Sequence, residues 1–219
     1  MSRLEPGRPA RGRPIDVDSA LALTIAERGW AYARHFLPDP SWRALASELR
    51  GAQAEDKLRQ AGIGAGTRYR VAEDIRGDRI RWIDPARPSS AEREALSRLD
   101  QLRLVCNREL QLGLFDFEGH FSVYPEGGYY RRHRDQPRES DARVLSCVLY
   151  LNEAWQPEDD GRLRLYLGDD AEPAHVDFLP EGGALVCFLS ARFFHEVLPT
   201  RRERLSLTGW FRQRTAADR

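Results

Sequence analysis

The hydrophobic pattern changes character along the chain. In the first half, apolar residues recur every three or four positions in three stretches, which predicts three amphipathic helices. Shorter stretches with alternating apolar and polar residues predict strands between these helices. The predicted helices cover residues 16–29, 41–55 and 90–112, and the predicted strands lie near residues 30–36 and 80–82.

Capping residues support the predicted helix ends. Asp16 or Asp18 can cap the first helix, Gly29 can end it, and Ser41 is the expected cap of the second helix. A serine followed three residues later by a glutamate forms a capping-box pattern at the start of the third helix; these residues are Ser89 and Glu92.

The second half reads as a series of short strands. From Phe115 onward, short apolar runs alternate with turn clusters such as PEDDG and GDDAEP. This spacing is typical of an antiparallel sandwich or barrel, so we expect an α+β fold with N-terminal helices packed on a C-terminal β-barrel. We expect one catalytic domain, divided into a disordered tail (1–14), a helical support with a mobile substrate loop at about 58–78 (15–112), and the β core (113–214).

The composition is that of a globular, electrically neutral chain. The 219 residues are 41% hydrophobic, and 34 basic residues balance 34 acidic ones. A neutral chain is not drawn to phosphates, so neither a nucleic-acid nor a membrane partner is expected. The three cysteines, Cys106, Cys147 and Cys187, are widely spaced in apolar surroundings and predict buried free thiols in a reducing compartment. Together with the polar N-terminus, this predicts a cytoplasmic protein.

The triplet His133-Arg134-Asp135 admits two interpretations. In a protein kinase, such a triplet belongs to the catalytic loop, and an asparagine follows the aspartate at the fifth position. Here Asp135 is followed by Gln-Pro-Arg-Glu-Ser, and no Asp-Phe-Gly motif comes later. The kinase interpretation is therefore excluded.

The alternative is a metal site. Residues two apart in a strand point to the same face, so His133 and Asp135 would present an imidazole beside a carboxylate, and His195 can supply a third ligand. Two histidines and one carboxylate suit a non-haem Fe(II) oxygenase, although a zinc hydrolase can use the same donors. Arg204 and Ser206 favour the oxygenase, because a guanidinium and a hydroxyl near the metal can anchor a dicarboxylate.

Several motifs, taken in order, carry a family resemblance. The segments IRGDRIRWID, VYPEGGYYRRHRD, VLYLNEAW and HEVLPTRRER resemble the 2-oxoglutarate- and Fe(II)-dependent dioxygenases, and in particular the prolyl hydroxylase domain group. That group contains the animal oxygen-sensing prolyl hydroxylases and their bacterial relatives. The resemblance covers roughly residues 60–212 and implies a double-stranded β-helix of the jelly-roll, cupin-like kind.

The resemblance also implies roles for individual residues. The iron ligands would be His133, Asp135 and His195, which are also the catalytic residues. The co-substrate 2-oxoglutarate would be held by Arg204, Tyr150, Tyr124, Thr208 and Trp210, and the substrate by Arg76, Asp78, Tyr130 and Arg143. The remaining histidines, His35, His120 and His175, are interpreted as ordinary surface or core residues.

The implied activity is that of a prolyl 4-hydroxylase. It would use Fe(II), 2-oxoglutarate and O₂, with L-ascorbate as reductant, to hydroxylate a proline in a protein, releasing succinate and CO₂. Bacterial relatives suggest elongation factor Tu as the target, the animal branch suggests oxygen sensing, and a monomer is expected. Two alternatives stay open: an oxygenase acting on nucleic acid or a free amino acid, and a catalytically silent protein-binding module. The neutral charge argues against nucleic acid.

Overall fold

The structure is a computed structural model, and it describes residues 16–63, 70–72, 74–136, 141–170 and 173–215. The predicted tail (1–14) lies outside the described residues, as does part of the predicted substrate loop (58–78). Three α-helices are present in the described part: α1 (Val17–Arg28), α2 (Asp39–Ala54) and α3 (Ser90–Leu110).

The helix ends follow the predicted capping chemistry at two of three helices. The Asp16 side chain accepts hydrogen bonds from the first turn of α1, and Gly29 ends that helix in the left-handed conformation. Ser89 and Glu92 form the predicted capping box of α3. The prediction for α2 was wrong: Ser41 lies inside the helix, which begins at Asp39 because the proline that follows favours the first turn.

The strands form two antiparallel sheets and a small hairpin. The strands are β1 (Trp30–Ala33), β2 (Arg59–Gln60), β3 (Gly62–Ile63), β4 (Arg70–Val71), β5 (Arg79–Trp82), β6 (Leu114–Tyr124), β7 (Tyr130–His133), β8 (Arg143–Tyr150), β9 (Leu163–Tyr166), β10 (His175–Phe178), β11 (Leu185–Leu189), β12 (His195–Val197) and β13 (Arg204–Gln213). A seven-stranded sheet has the order β1-β11-β8-β13-β6-β5-β2, a four-stranded sheet has the order β10-β9-β12-β7, and β3 pairs with β4.

The large sheet separates two hydrophobic cores. Its outer face packs on the helices, where Leu149, Leu185 and Leu207 meet residues of α1, α2 and α3. Its inner face meets the small sheet, with Tyr150 and Phe188 packed against Leu165. Because side chains alternate along a strand, neighbouring residues of β8 and β11 enter different cores.

This architecture is the predicted α+β arrangement of helices on a β core. Within the described residues, however, no strand of the large sheet pairs with a strand of the small sheet, so the β core is a sandwich of two facing sheets instead of a closed barrel. All three cysteines are buried and free of disulfides, as predicted. None of the described helices combines the length and the apolar character needed to cross a bilayer.

Candidate metal and co-substrate site

Three potential metal ligands converge between the two sheets. One ligand atom from each of His133, Asp135 and His195 lies within 4.8 Å of the others. The Nε2 atoms of the two histidines each lie 3.5 Å from a different oxygen of the Asp135 carboxylate. His133 and His195 are opposite each other in the pairing of β7 with β12, so the small sheet supplies both imidazoles.

Hydrogen bonds to neighbouring groups orient two of these three side chains. The Nδ1–H of His133 donates to the Arg131 carbonyl at 2.8 Å, which leaves Nε2 with a free lone pair. The Ser146 hydroxyl, on β8 of the large sheet, donates to Asp135 at 2.7 Å. The sequence pattern had placed Asp135 in the same strand as His133. Strand β7 ends at His133, however, so Asp135 lies just past the strand.

The electrostatic environment shifts the pKa values of Asp135 and His133 toward the protonation states that bind metal. Burial alone would raise the pKa of Asp135, but His195 and His133 outweigh it and hold this pKa well below its usual range. Burial, together with the nearby His195, lowers the pKa of His133. An ionised Asp135 carboxylate and a neutral His133 imidazole are the forms in which these two groups coordinate a metal.

Arg204 lies completely inside the sandwich, near the start of β13. Only 1% of its surface is exposed, its Nε donates to the Gly161 carbonyl at 2.9 Å, and Nη1 is 3.5 Å from the Ser206 hydroxyl. Its Nη2 and the Tyr150 hydroxyl are buried without a hydrogen-bond partner in the described part of the chain. Buried polar groups are nearly always paired, so two adjacent orphans indicate a place for a ligand.

Two further residues predicted to hold the co-substrate share the inner face with Arg204. Its guanidinium carbon lies 5.2 Å from the ring centre of Tyr124 and 5.1 Å from that of Tyr150. Thr208 follows on the same face of β13, with its hydroxyl 3.4 Å from that of Ser206. These side chains line a polar strip that leads away from the buried cation.

The predicted substrate residues Arg76 and Asp78 bind each other. Two nitrogens of the Arg76 guanidinium each lie 2.7 Å from an Asp78 oxygen, and Asp78 is fully buried. Burial opposes the charge on Arg76, but the ion pair with Asp78 still raises its pKa above the usual value. The guanidinium also lies 4.3 Å from the ring of Tyr130, which stacks on His133 with ring centres 3.6 Å apart. The pair therefore supports Tyr130 beside the metal ligand.

Arg143 and Trp210 form a second group next to Asp135. The Arg143 guanidinium lies 3.5 Å from the Trp210 ring centre, and the same side chain is bonded to Glu118 at 3.1 Å. Trp210 is paired in register with Ser146, the residue that orients Asp135. The buried indole nitrogen of Trp210 has no hydrogen-bond partner among the described residues. The sequence had suggested only that Trp210 lines the pocket.

Two residues of this region were missed by the sequence interpretation. Ser146 received no role, and His120 was taken for an ordinary core histidine, yet both lie on the inner face of the large sheet. The period-two pattern of VLSCVLYL places Ser146 on the same face as Tyr150 and could have revealed it.

The residues present fit a metal ion and a dicarboxylate. Two imidazoles and one carboxylate are the protein ligands of non-haem Fe(II) oxygenases, which leave other coordination positions open. The orphaned Arg204 nitrogen and Tyr150 hydroxyl are donors suited to a carboxylate. A jelly-roll sandwich with two histidines and one carboxylate as metal ligands is characteristic of the iron oxygenases called facial-triad enzymes.

Comparison with known proteins identifies the family. The family model of the 2OG-Fe(II) oxygenase superfamily matches residues 119–212. The crystal structure of a Pseudomonas putida prolyl-4-hydroxylase is 49% identical, with a TM-score of 0.81, and covers 91% of this chain and all of that one. The chain therefore belongs to the 2OG-Fe(II) oxygenase superfamily and, within it, to the prolyl hydroxylase group. The expected jelly-roll fold is confirmed by this likeness.

Two animal proteins extend the comparison. A Trichoplax adhaerens prolyl hydroxylase, solved with a hypoxia-inducible factor peptide, is 26% identical with a TM-score of 0.80, covering 90% of this chain and 89% of that chain. Egl nine homolog 1 of Homo sapiens is 34% identical over 80% of this chain. The chain spans 42% of the length of that human relative.

Proposed function

We propose that this protein hydroxylates a proline residue of a protein substrate, using Fe(II), 2-oxoglutarate and O₂ and releasing succinate and CO₂. The observation that carries the proposal is the pairing of a His₂-carboxylate cluster with a buried arginine whose Nη2 has no partner in the described structure. A metal hydrolase with the same three ligands does not need an arginine to anchor a co-substrate. Similarity to prolyl hydroxylases of bacteria and animals supports the substrate class.

In this proposal His133, Asp135 and His195 hold the iron, and Arg204 with Tyr150 anchors the far carboxylate of 2-oxoglutarate. When bound, the iron and the 2-oxo acid supply the oxidising chemistry and activate O₂. The protein contributes geometry: Ser146 fixes Asp135, and the Arg131 carbonyl fixes the ring of His133. The surrounding apolar core excludes water from the reacting atoms.

Tyr124, Thr208 and Trp210 complete the co-substrate pocket in this proposal, and Tyr130 and Arg143 form the wall next to the substrate. Arg76 and Asp78 act through Tyr130, since their charges are satisfied by each other. We further propose a cytoplasmic monomer that uses L-ascorbate as reductant. Elongation factor Tu is the first protein substrate to test.

The metal and co-substrate assignment is tested by anaerobic titration of the protein with Fe(II) and 2-oxoglutarate. Chelation of the 2-oxo acid to such an iron site produces a weak charge-transfer band in the visible. We expect the band in the wild-type protein, its loss in His133→Ala and a weaker band in Arg204→Ala. Metal binding without the band would refute the oxygenase assignment.

The substrate assignment is tested separately by mass spectrometry. Proline-containing substrates, including elongation factor Tu and a hypoxia-inducible factor peptide, are incubated with the iron-loaded protein, 2-oxoglutarate and air. We expect a gain of one oxygen atom on a proline of at least one member. Turnover of free amino acids with no hydroxylated protein would assign the second substrate class instead.

A further inference from the structure

His195 is the candidate metal ligand whose outer ring nitrogen has no hydrogen bond. Its Nε2 faces Asp135 at 3.5 Å, whereas its Nδ1 is buried without a partner among the described residues. The corresponding nitrogen of His133 is held by the Arg131 carbonyl. Histidines that bind metals almost always use this second nitrogen to hold the ring in place. The orientation of His195 therefore requires another cause.

Strand pairing does not by itself fix the imidazole of His195. The pairing of β12 with β7 and β9 places the backbone of His195 opposite His133 and Leu165. The terminal side-chain torsion of a histidine is broad, however, so the ring can turn while the backbone stays in place. A neighbouring side chain is needed to restrict that rotation.

Aromatic rings pack on both sides of the two candidate histidine ligands. Tyr130 stacks on His133 with ring centres 3.6 Å apart, and the His133 ring centre lies 4.2 Å from that of His195. On the other side, the ring of Phe188 lies 4.7 Å from His195 and is tilted by 57°. Aromatic pairs prefer tilted or offset arrangements, so the contact with Phe188 favours one orientation of the imidazole.

The position of Phe188 in the large sheet links it to the support of Asp135. Phe188 is fully buried in β11 and lies directly opposite Ser146 of β8, the residue that donates to Asp135. Paired residues of neighbouring strands point to the same face of a sheet. This single cross-strand pair thus contacts two different candidate ligands, with Ser146 on Asp135 and Phe188 on His195.

We propose that Phe188 is the positioning residue of His195. Its ring packs on the imidazole and keeps Nε2 turned toward Asp135, in place of a hydrogen bond at Nδ1. Phe188 contacts neither metal nor substrate in this proposal and acts only through His195. The inference rests on the metal assignment of the proposed function, and it gives one of the three ligands an apolar support.

The test separates the flat ring of Phe188 from the space that it fills. Phe188→Met and Phe188→Leu keep an apolar side chain without a ring, whereas Phe188→Tyr keeps the ring. Phe178→Met is the matched control, because Phe178 belongs to the same core but packs its ring on Trp30 and Tyr32. Anaerobic equilibrium dialysis measures the affinity for Fe(II) alone, and thermal unfolding of the metal-free protein reports the stability of each variant.

We expect the dissociation constant of Fe(II) to rise about tenfold in Phe188→Met and Phe188→Leu, because a group that orients a metal ligand typically contributes 10- to 100-fold to metal affinity. Phe188→Tyr should stay close to the wild-type value. Phe178→Met should also bind Fe(II) as the wild type does, although its metal-free Tm should fall like that of Phe188→Met, since each variant removes a buried ring. Equal loss of stability with unequal loss of Fe(II) affinity identifies a positioning role.

Three results would overturn the inference. Wild-type affinity for Fe(II) in the folded Phe188→Met or Phe188→Leu protein would show that the ring does not orient His195. An equal loss of affinity in Phe178→Met would mean a general loosening of the core. Equal losses in Phe188→Met and Phe188→Tyr would mean that the ring has no part in the effect.

Dialysis of the wild-type protein distinguishes these results from a failure of the proposed function. If the wild type binds no Fe(II), the metal assignment falls, and the role of Phe188 falls with it. If the wild type binds Fe(II) and the variants of Phe188 bind it equally well, only the inference about Phe188 is wrong.

Discussion

Most of the buried side-chain polar atoms that lack a hydrogen-bond partner in the described residues lie inside the sandwich, at or near the candidate site. Arg204 was predictable from the sequence, because a cation shortly after His195 on an apolar strand needs a buried anion to bind. Alternation along VLSCVLYL places Ser146 on the same face as Tyr150, but the neighbours of Ser146 and His120 on adjoining strands depend on register, which a single sequence does not show. The sequence therefore singled out the candidate ligands and Arg204 by residue type and spacing, and it missed residues whose signal is the neighbour across the sheet.

Replacing Arg204 by methionine should weaken co-substrate binding while leaving the apolar stem in place. Hydrogen bonds to a charged group contribute roughly 1.5–3 kcal/mol, so we expect the KM for 2-oxoglutarate to rise about 10- to 100-fold. Steady-state succinate formation measures this change. The control is Arg201→Met, at an exposed position three residues away. An equal KM in the two variants would contradict the assigned anchor.

Removing the Ser146 hydroxyl should loosen the candidate metal site. Ser146 donates to Asp135 and is itself 2.8 Å from the Ser190 hydroxyl, so Ser190 acts on the carboxylate only through Ser146. Loss of a group that orients a ligand typically lowers metal affinity about 10- to 100-fold. We expect Ser146→Ala to lower Fe(II) affinity by about tenfold in an anaerobic titration, and Ser190→Ala to lower it less. The opposite order would disprove this arrangement.

At the scale of elements, local chemistry predicted helix starts well where a side chain caps the backbone. Ser89 and Glu92 satisfy each other's backbone groups, whereas α2 starts at Asp39 without a side-chain cap. The sequence pattern favoured Ser41 because serine is a common cap, but the Asp-Pro pair starts the helix two residues earlier. The position of Asp135 was also not predictable from local sequence, because the end of β7 at His133 depends on its pairing with β12.

The capping box gives a stability prediction for α3. Ser89→Ala removes the hydroxyl that accepts from the Glu92 N–H at 3.0 Å, and it also removes the bond that this hydroxyl donates to Glu48. We expect a loss of about 1 kcal/mol in the free energy of unfolding, or somewhat more because of the second bond. Urea denaturation measures this loss. Ser97→Ala, on the exposed side of the same helix, should be neutral or slightly stabilising.

At the scale of the whole molecule, the candidate metal ligands connect the two sheets. His133 and His195 belong to the small sheet, while Asp135 is hydrogen-bonded to Ser146 of the large one. A bound metal therefore links halves that share no strand pairing within the described residues. Ligand binding at this position should stabilise the entire sandwich and not only the loops around it.

Thermal unfolding with Mn(II) and 2-oxoglutarate tests this link, because Mn(II) can occupy an iron site without turnover. Ligand at 100 times its Kd stabilises the folded state by about 2.7 kcal/mol. For a chain of this size, that raises Tm by roughly 5–10 °C. Chelator should reverse the shift, and Asp135→Ala should abolish it. A full shift in Asp135→Ala would show that the metal binds elsewhere.

The alternation along β13 has a consequence for how such a protein can change over generations. Arg204, Ser206 and Thr208 face the site, while Leu205 and Leu207 between them fill the helix-side core. Deleting or inserting a single residue at the start of this strand would exchange the two faces. The leucines would then point into the site, and the arginine would point into the hydrophobic core on the helix side. Substitutions can thus change the chemistry of the site one residue at a time. Insertions and deletions in this strand cannot, because both of its faces depend on its length.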